Sequence, residues 1–248
     1  MAAPTSRRVA VVTGAARGFG QAISVGLARR GIDIVALDLE RSDETIALVT
    51  AENARAVGVV ADVSDPAAVA LLHETLRSQF GRCDILVNNA GIYPNQPFAD
   101  TDYALWQRVM RVNLDSAFLM VKAVVPLMIE GQWGRIVNIA SDSIGLVVTG
   151  LVPYIASKAG LIGFTRALAS DVADHGITVN AVGPTATLTP GGRDQMSPEL
   201  VERLSQAQAI KRVGTADDIV GVVAFLSSDD SAFITGQTIM ADGGLVRL

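Results

Sequence analysis

Tyr154 and Lys158 stand four residues apart in LVPYIASKAG, behind Pro153, a residue type that favours the first turn of a helix. Side chains at that spacing share one helix face. Both ionise only near pH 10 in water, and an ammonium beside a phenol favours the phenolate. The pair is therefore a candidate proton-transfer group; the alternative is that the tyrosine packs while the lysine stretches its stem toward solvent. Thirteen residues upstream, Ser141 ends the apolar run of GRIVNIASDS. A hydroxyl at the end of a strand can face the same crevice as a tyrosine early in the next helix. Ser143, two positions on, is a second candidate. Asn113 interrupts a long helical pattern in RVNLDSAF. Its amide competes for backbone groups, so the helix is expected to be disturbed there and to offer a carbonyl to water.

A second constellation lies near the start of the chain. The stretch VVTGAARGFGQAI places Gly14, Gly18 and Gly20 between an apolar run and a helical pattern. Glycines there permit a tight turn and close backbone approach to a ligand, and the helix start offers free N–H groups to a pyrophosphate. The spacing differs from the common GxGxxG, so its weight comes from its place after the first strand. Asp38 ends the second apolar run, 18 residues after Gly20. A carboxylate there accepts ribose hydroxyls and repels a 2′-phosphate, which favours NAD over NADP. Arg17 and Arg41 point the other way, since either could meet a phosphate. Asp62 and Val63 close the third run, where they could cover an adenine edge, and Asn88, Asn89, Ala90 and Gly91 close the fourth. Paired asparagines at a strand end can bind neighbouring loops together, or simply form a turn.

Elements that could position these groups alternate along the whole chain. Apolar runs at 9–12, 34–37, 56–61, 85–87, 136–140, 178–182 and 238–241 are nearly continuous, as strands buried on both faces should be. Helical patterns fall at 21–30, 43–51, 66–80, 103–129, 153–173 and 216–226. The expected fold is α/β: one Rossmann-type domain with a doubly wound, parallel, seven-stranded sheet and helices on both faces. Residues 185–210 break the alternation, and so long an insertion reads as a substrate lid.

Composition narrows the function. The chain has 248 residues, half of them hydrophobic, and a net charge of −5 with no basic stripe for nucleic acid. One cysteine, Cys83, and two histidines, His73 and His175, argue against a disulfide and against a metal centre. The polar MAAPTSRR start lacks a signal-peptide core, and no apolar run nears the ~18 residues of a membrane span. A cytoplasmic protein without membrane attachment is expected.

Taken together, Thr13-Gly-x3-Gly-x-Gly, Asn88-Asn-Ala-Gly, Asn113, Ser141, Tyr154-x3-Lys158 and Pro184 resemble the short-chain dehydrogenase/reductases over nearly the whole chain. FGRCDILVNNAGIYP and FITGQTIMADGGLVR are similar to the NAD-dependent members that oxidise 1-phenylethanol-type secondary alcohols. The resemblance implies that Tyr154 is the general acid and base and that Lys158 lowers its pKa and holds the nicotinamide ribose. It implies that Ser141 binds the substrate oxygen and that Asn113 holds a water leading to Lys158. The cofactor would be NAD, bound by Gly14, Arg17, Gly18, Phe19, Gly20, Asp38, Asp62, Val63, Asn89, Ala90, Gly91, Tyr154, Lys158, Pro184, Thr187 and Thr189. The family's Pro-Gly after the sixth strand is Pro184-Thr185 here, so the nicotinamide pocket is expected to differ. Substrate would meet Ser141, Tyr154, Tyr93, Ser143, Ile144, Leu146, Val147, Val148 and the lid residue Met196. That mostly apolar set suits a neutral, hydrophobic secondary alcohol or ketone. Runner-up activities are reduction of a 3-oxoacyl-(acyl-carrier-protein), weakened by Gln132 and His175 where basic residues would serve the carrier, and sugar or polyol oxidation through Asp142 and Asp194. The resemblance also implies a homotetramer paired through its long helices and C-terminal strands.

Overall fold

The structure is a computed structural model and describes residues 7–188 and 197–247. Seven strands, β1 (Val9–Thr13), β2 (Asp33–Asp38), β3 (Ala56–Val60), β4 (Ile85–Asn88), β5 (Gly134–Ile139), β6 (Ile177–Pro184) and β9 (Thr238–Ala241), form one sheet in the order β3-β2-β1-β4-β5-β6-β9. Every pairing is parallel, as the expected doubly wound sheet requires. Alternate side chains go to opposite faces. Val9, Val11, Val35, Leu37, Leu86 and Ile136 face one core, with residues of α3 (Pro66–Gln79), α5 (Ser116–Gly131) and α6 (Val152–Val172). Ala10, Val12, Ile34, Ala36, Ile85, Val87 and Val137 face the other, under α1 (Gly18–Ala28), α2 (Asp43–Ala51) and α8 (Asp217–Leu226). Burial on both sides explains why the strands read as unbroken apolar runs. Cys83 lies in the first core, where burial pushes its thiol up and leaves it a poor nucleophile.

Winding reverses between β1 and β4, so the crevice at the carboxyl ends of these strands is the ligand position of such sheets. The helix expected over 103–129 is three pieces: α4 (Tyr103–Met110), a π-helical turn at Arg111–Asp115, and α5. Asn113 sits in that turn, as its competition with the backbone led one to expect. The whole run Tyr103–Gly131 is long and apolar enough by composition to cross a membrane, which corrects the expectation that no segment comes near that length. Half of its most apolar window is buried inside the fold, against β4, β5 and α3, which accounts for its composition. Within 185–210 lie a strand of two residues, β7 (Thr187–Leu188), paired with β8 (Gly214–Thr215), and the helix α7 (Pro198–Ala207). Neither short strand was expected, because two residues leave no period to read.

Candidate active site

The glycine turn forms first from steric necessity. Gly14 has φ +63°, and a Cβ on it would lie 2.9 Å from Asn89 Nδ2 and 3.0 Å from Ala90 Cα. A Cβ on Gly20 would run into the Gly14 carbonyl. The space is kept by the absence of side chains. Arg17 opens α1 in extended conformation without a side-chain cap, so the first N–H groups of that helix are open to a ligand. Asp38 Oδ2 accepts from Ala16 N at 2.9 Å, which sets the carboxylate on the same turn. Arg41, which could have met a phosphate, is instead bidentate on Asp43 at 2.9 and 3.1 Å. Phe19 is half-buried against the core, Asp62 holds the turn to Ser64, and the Val63 side chain is buried in the core. If Val63 meets an adenine edge there, it does so with its backbone.

Segment 88–91 ties this turn to the chemical end. Thr13 Oγ1 accepts from Asn89 N and Ala90 N, each at 3.0 Å, and Asn89 Nδ2 donates to the carbonyls of Thr13 and Gly14 at 2.8 and 3.1 Å. Gly91 comes so near the other group that a Cβ on it would sit 3.3 Å from Asn113 Oδ1 and 3.6 Å from Lys158 Nζ. Asn113 uses its whole amide: Oδ1 accepts from Ile92 N, while Nδ2 donates to Ile92 O and to Ser157 Oγ. Ser157 in turn donates to Tyr154 O at 2.7 Å. The side chain thus clamps the 91–92 loop to α6.

Lys158 is buried and donates to Ile139 O at the end of β5, 2.6 Å away, while its Nζ lies 5.8 Å from the centre of the Tyr154 ring. Burial lowers its pKa to about 8. The depression expected of the tyrosine belongs to the protein with a nicotinamide beside it; in the chain by itself burial acts the other way. Burial pushes the Tyr154 phenol up, the Ser141 hydroxyl hydrogen-bonded to it pulls it down, and Asp142 and Tyr93 push it further up. The ammonium engages a strand-end carbonyl, and burial is the largest influence on the phenol. Tyr93 meets the Tyr154 ring edge-on, with centroids 6.2 Å apart.

Ser141 caps a short 3-10 turn, Asp142–Gly145, and its Oγ accepts from Ser143 N at 3.1 Å. Ser143 supports that serine with its backbone. Its own hydroxyl is buried without a partner, which corrects its placement as a pocket-lining group. Ile144 is half-buried, whereas Val147, Val148 and Tyr93 are exposed and can border a substrate. Pro184 and Thr187 are buried, and Thr187 Oγ1 donates to Thr185 O. Thr189, Asp194 and Met196 lie outside the described residues. Asp142 is buried and turned toward Thr185, so it is not the hydroxyl-binding group that a polyol reading needs. Gln132 and His175 precede β5 and β6, at the opposite end of the sheet from Ser141, and within one chain they do not border the crevice.

Two buried supports escaped the sequence reading. Asn88 Nδ2 donates to Asn138 Oδ1, and Asn138 Nδ2 donates to Thr165 Oγ1, both at 2.8 Å, which joins β4, β5 and α6 beneath the site. The available signal was an asparagine inside the apolar run RIVNIA. The other support is the cluster of Asp142, Thr185 and Asp242; Asp142 and Thr185 stood out singly, but their meeting with Asp242 depends on strand order.

A family profile described as Enoyl-(Acyl carrier protein) reductase matches residues 14–246. The 3-oxoacyl-(acyl-carrier-protein) reductase of Escherichia coli is 38% identical over 96% of this chain and 97% of its own. The BbsD subunit of a hydroxy(phenyl)methyl-succinyl-CoA dehydrogenase of Thauera aromatica is 39% identical over 96% of both chains. A crystal structure from Sinorhizobium meliloti 1021, assigned as a short-chain alcohol dehydrogenase, superposes with a TM-score of 0.91 at 40% identity, covering 97% of this chain and 96% of that one. Similarity that runs through the glycine turn, the clamped loop and the Ser141–Tyr154–Lys158 corner alike makes the protein a member of the short-chain dehydrogenase/reductase family.

Proposed function

We propose that this oxidoreductase interconverts a secondary alcohol and its ketone with a nicotinamide dinucleotide, using Tyr154 as general acid and base. One observation carries the reading: segment 88–91 touches the glycine turn through Asn89 and Ala90, and the Asn113–Lys158 pair through Gly91. A dinucleotide in the glycine cradle would thus be held beside the tyrosine. The cradle fits such a group, since glycines preserve its volume and the start of α1 keeps free N–H donors. Gly14, Gly18 and Gly20 would admit the pyrophosphate, Asp38 the adenosine ribose, and Lys158 and Thr187 the nicotinamide end. When bound, the cofactor supplies a hydride acceptor or donor.

The chain's own residues do the rest. The Ser141 hydroxyl holds the substrate oxygen beside the phenol as charge develops on it. Tyr154 gives its proton to a ketone oxygen, or as phenolate takes one from an alcohol. Lys158 keeps a positive charge near that exchange below about pH 8. Its stem and the Asn113 clamp hold the crevice wall.

For the substrate, a 3-oxoacyl thioester now stands ahead of the neutral alcohol expected from sequence. Its support is the similarity to acyl-carrier and acyl-CoA enzymes. A neutral aryl ketone remains the second reading, favoured by the exposed apolar rim of Tyr93, Val147 and Val148. NAD is the proposed cofactor on the strength of Asp38, with Arg41 already paired. The deciding experiment is steady-state reduction of 3-oxoacyl-CoA and aryl ketones with NADH and with NADPH, alongside Tyr154→Phe. Turnover with NADH, lost by about 10²–10⁴-fold in the variant while NADH binding persists, is the expected result. A variant as active as wild type would refute the acid–base role, and a preference for NADPH would refute the cofactor assignment.

A further inference from the structure

β5, β6 and β9 are neighbours in the sheet, with Ile139 paired to Val182 and Pro184 to Ala241. Continued past the strand ends, that register sets Asp142, three residues after β5, beside Thr185 after β6, and Thr185 beside Asp242 after β9. Asp142 and Asp242 are both buried. Asp242 is satisfied, accepting from Gly244 N and Val246 N at 2.9 and 2.7 Å. Asp142 is only partly satisfied. Its Oδ2, the Thr185 hydroxyl and the Ser143 hydroxyl are buried without a well-formed hydrogen bond, although the Thr185 hydroxyl lies close enough to the carboxyl to favour its ionised form. Buried polar atoms left this way are uncommon and call for a use. A carboxyl directly behind the turn that presents Ser141 has one.

We propose that Asp142 is a positioning residue: its carboxyl, held between Thr185 and Asp242, sets the charge behind Ser141 and so the pH range in which Tyr154 exchanges its proton. This rests on the acid–base reading of Tyr154. Burial, with a smaller push from Asp242, raises Asp142 to about 6, while the hydroxyls of Thr185 and Ser141 favour its ionised form. Once ionised, Asp142 raises the Tyr154 phenol. Other charged or titratable groups facing this corner are Tyr93, edge-on to Tyr154, and Lys158, which is directed to Ile139 O.

The consequence has a definite shape. Below about pH 6 the carboxyl is neutral and resembles an amide. Above it, wild type carries a negative charge that Asp142→Asn lacks. The ratio of kcat/KM in the alcohol-oxidising direction, variant over wild type, should sit near one below pH 6. It should rise above that pH to a plateau of roughly three- to ten-fold, since about half to one pH unit of phenol acidity is at stake. Thr185→Val removes a hydroxyl that favours the carboxylate, so the wild-type break near pH 6 should move upward. A second readout needs no turnover: the melting temperature of Asp142→Asn minus that of wild type should grow between about pH 4 and pH 6 and then level. All variants are first checked for NADH binding. A merely structural lesion gives a ratio constant with pH and a flat melting difference, and either overturns the proposal. If Tyr154→Phe keeps its turnover, the acid–base reading fails, while the melting comparison still reports whether Asp142 titrates in the fold. Should Asp142→Asn not fold, an unmoved break in Thr185→Val overturns the proposal by itself.

Discussion

Tyr154 is held by two opposed influences, burial that keeps its proton and the Ser141 hydroxyl that loosens it. Ser141→Ala should therefore act twice, removing the hydrogen bond to the developing oxyanion and making the phenol less acidic. A fall of about 10²–10³-fold in kcat is expected. The rise of oxidation rate with pH should also move to higher pH, which a pH–rate profile of the variant reads. At the other end, Asp38→Asn removes the charge that opposes a 2′-phosphate, and the ratio of NADH to NADPH affinity measured by fluorescence should fall at least several-fold. That Ser141, Tyr154 and Lys158 would come together at one corner was legible from type and spacing. The direction of the tyrosine's pKa was not. Sequence places Lys158 one turn away, but the winner between its charge and desolvation depends on burial and on the ammonium's choice of Ile139 O, and both are properties of the packed corner.

Among the elements, the strands were the most legible and the connections the least. Val9–Thr13 or Ile85–Asn88 could be seen because a strand covered on both faces has no polar side to display. The π-helical turn was foreshadowed by Asn113, since a residue that competes with the backbone marks its own position. The chain Asn88–Asn138–Thr165 could not be foreseen, because it needs the order of strands in the sheet and the face on which α6 lands. Asn138→Leu should strand the amide of Asn88, while the hydroxyl of Thr165 keeps its bond to Leu161 O. At about 1–3 kcal/mol for a buried group left unpaired, thermal melting should fall by several degrees, roughly 2–4 °C per kcal/mol for a domain of this length. Gly20→Ala tests the glycine turn: its Cβ runs into the Gly14 carbonyl, so NADH binding should be lost.

For the molecule as a whole, linkage has a definite sign. Asp142 binds its proton more tightly in the fold, about 6 against roughly 3.9 in an unfolded chain, so its contribution is fully present at low pH. It is lost as pH rises between those two values, to the extent of about 3 kcal/mol at most. Assembly belongs to this scale as well. The exposed Phe118 on α5 and Phe233 before β9 are apolar surface on the two elements through which a tetramer is proposed, and sedimentation should return four times the mass of the chain. One contact has a temporal meaning. A Cβ on Gly145 would lie 2.5 Å from Val246 Cγ1, and Asp242 fixes the loop that brings Val246 there, so the turn bearing Ser141 leans on residues a hundred positions later. The turn proposed to cradle a pyrophosphate is complete within residues 13–91, whereas the brace behind Ser141 is supplied from Asp242 and Val246, far later in the chain. During synthesis the glycine turn is thus complete long before the serine's own support exists.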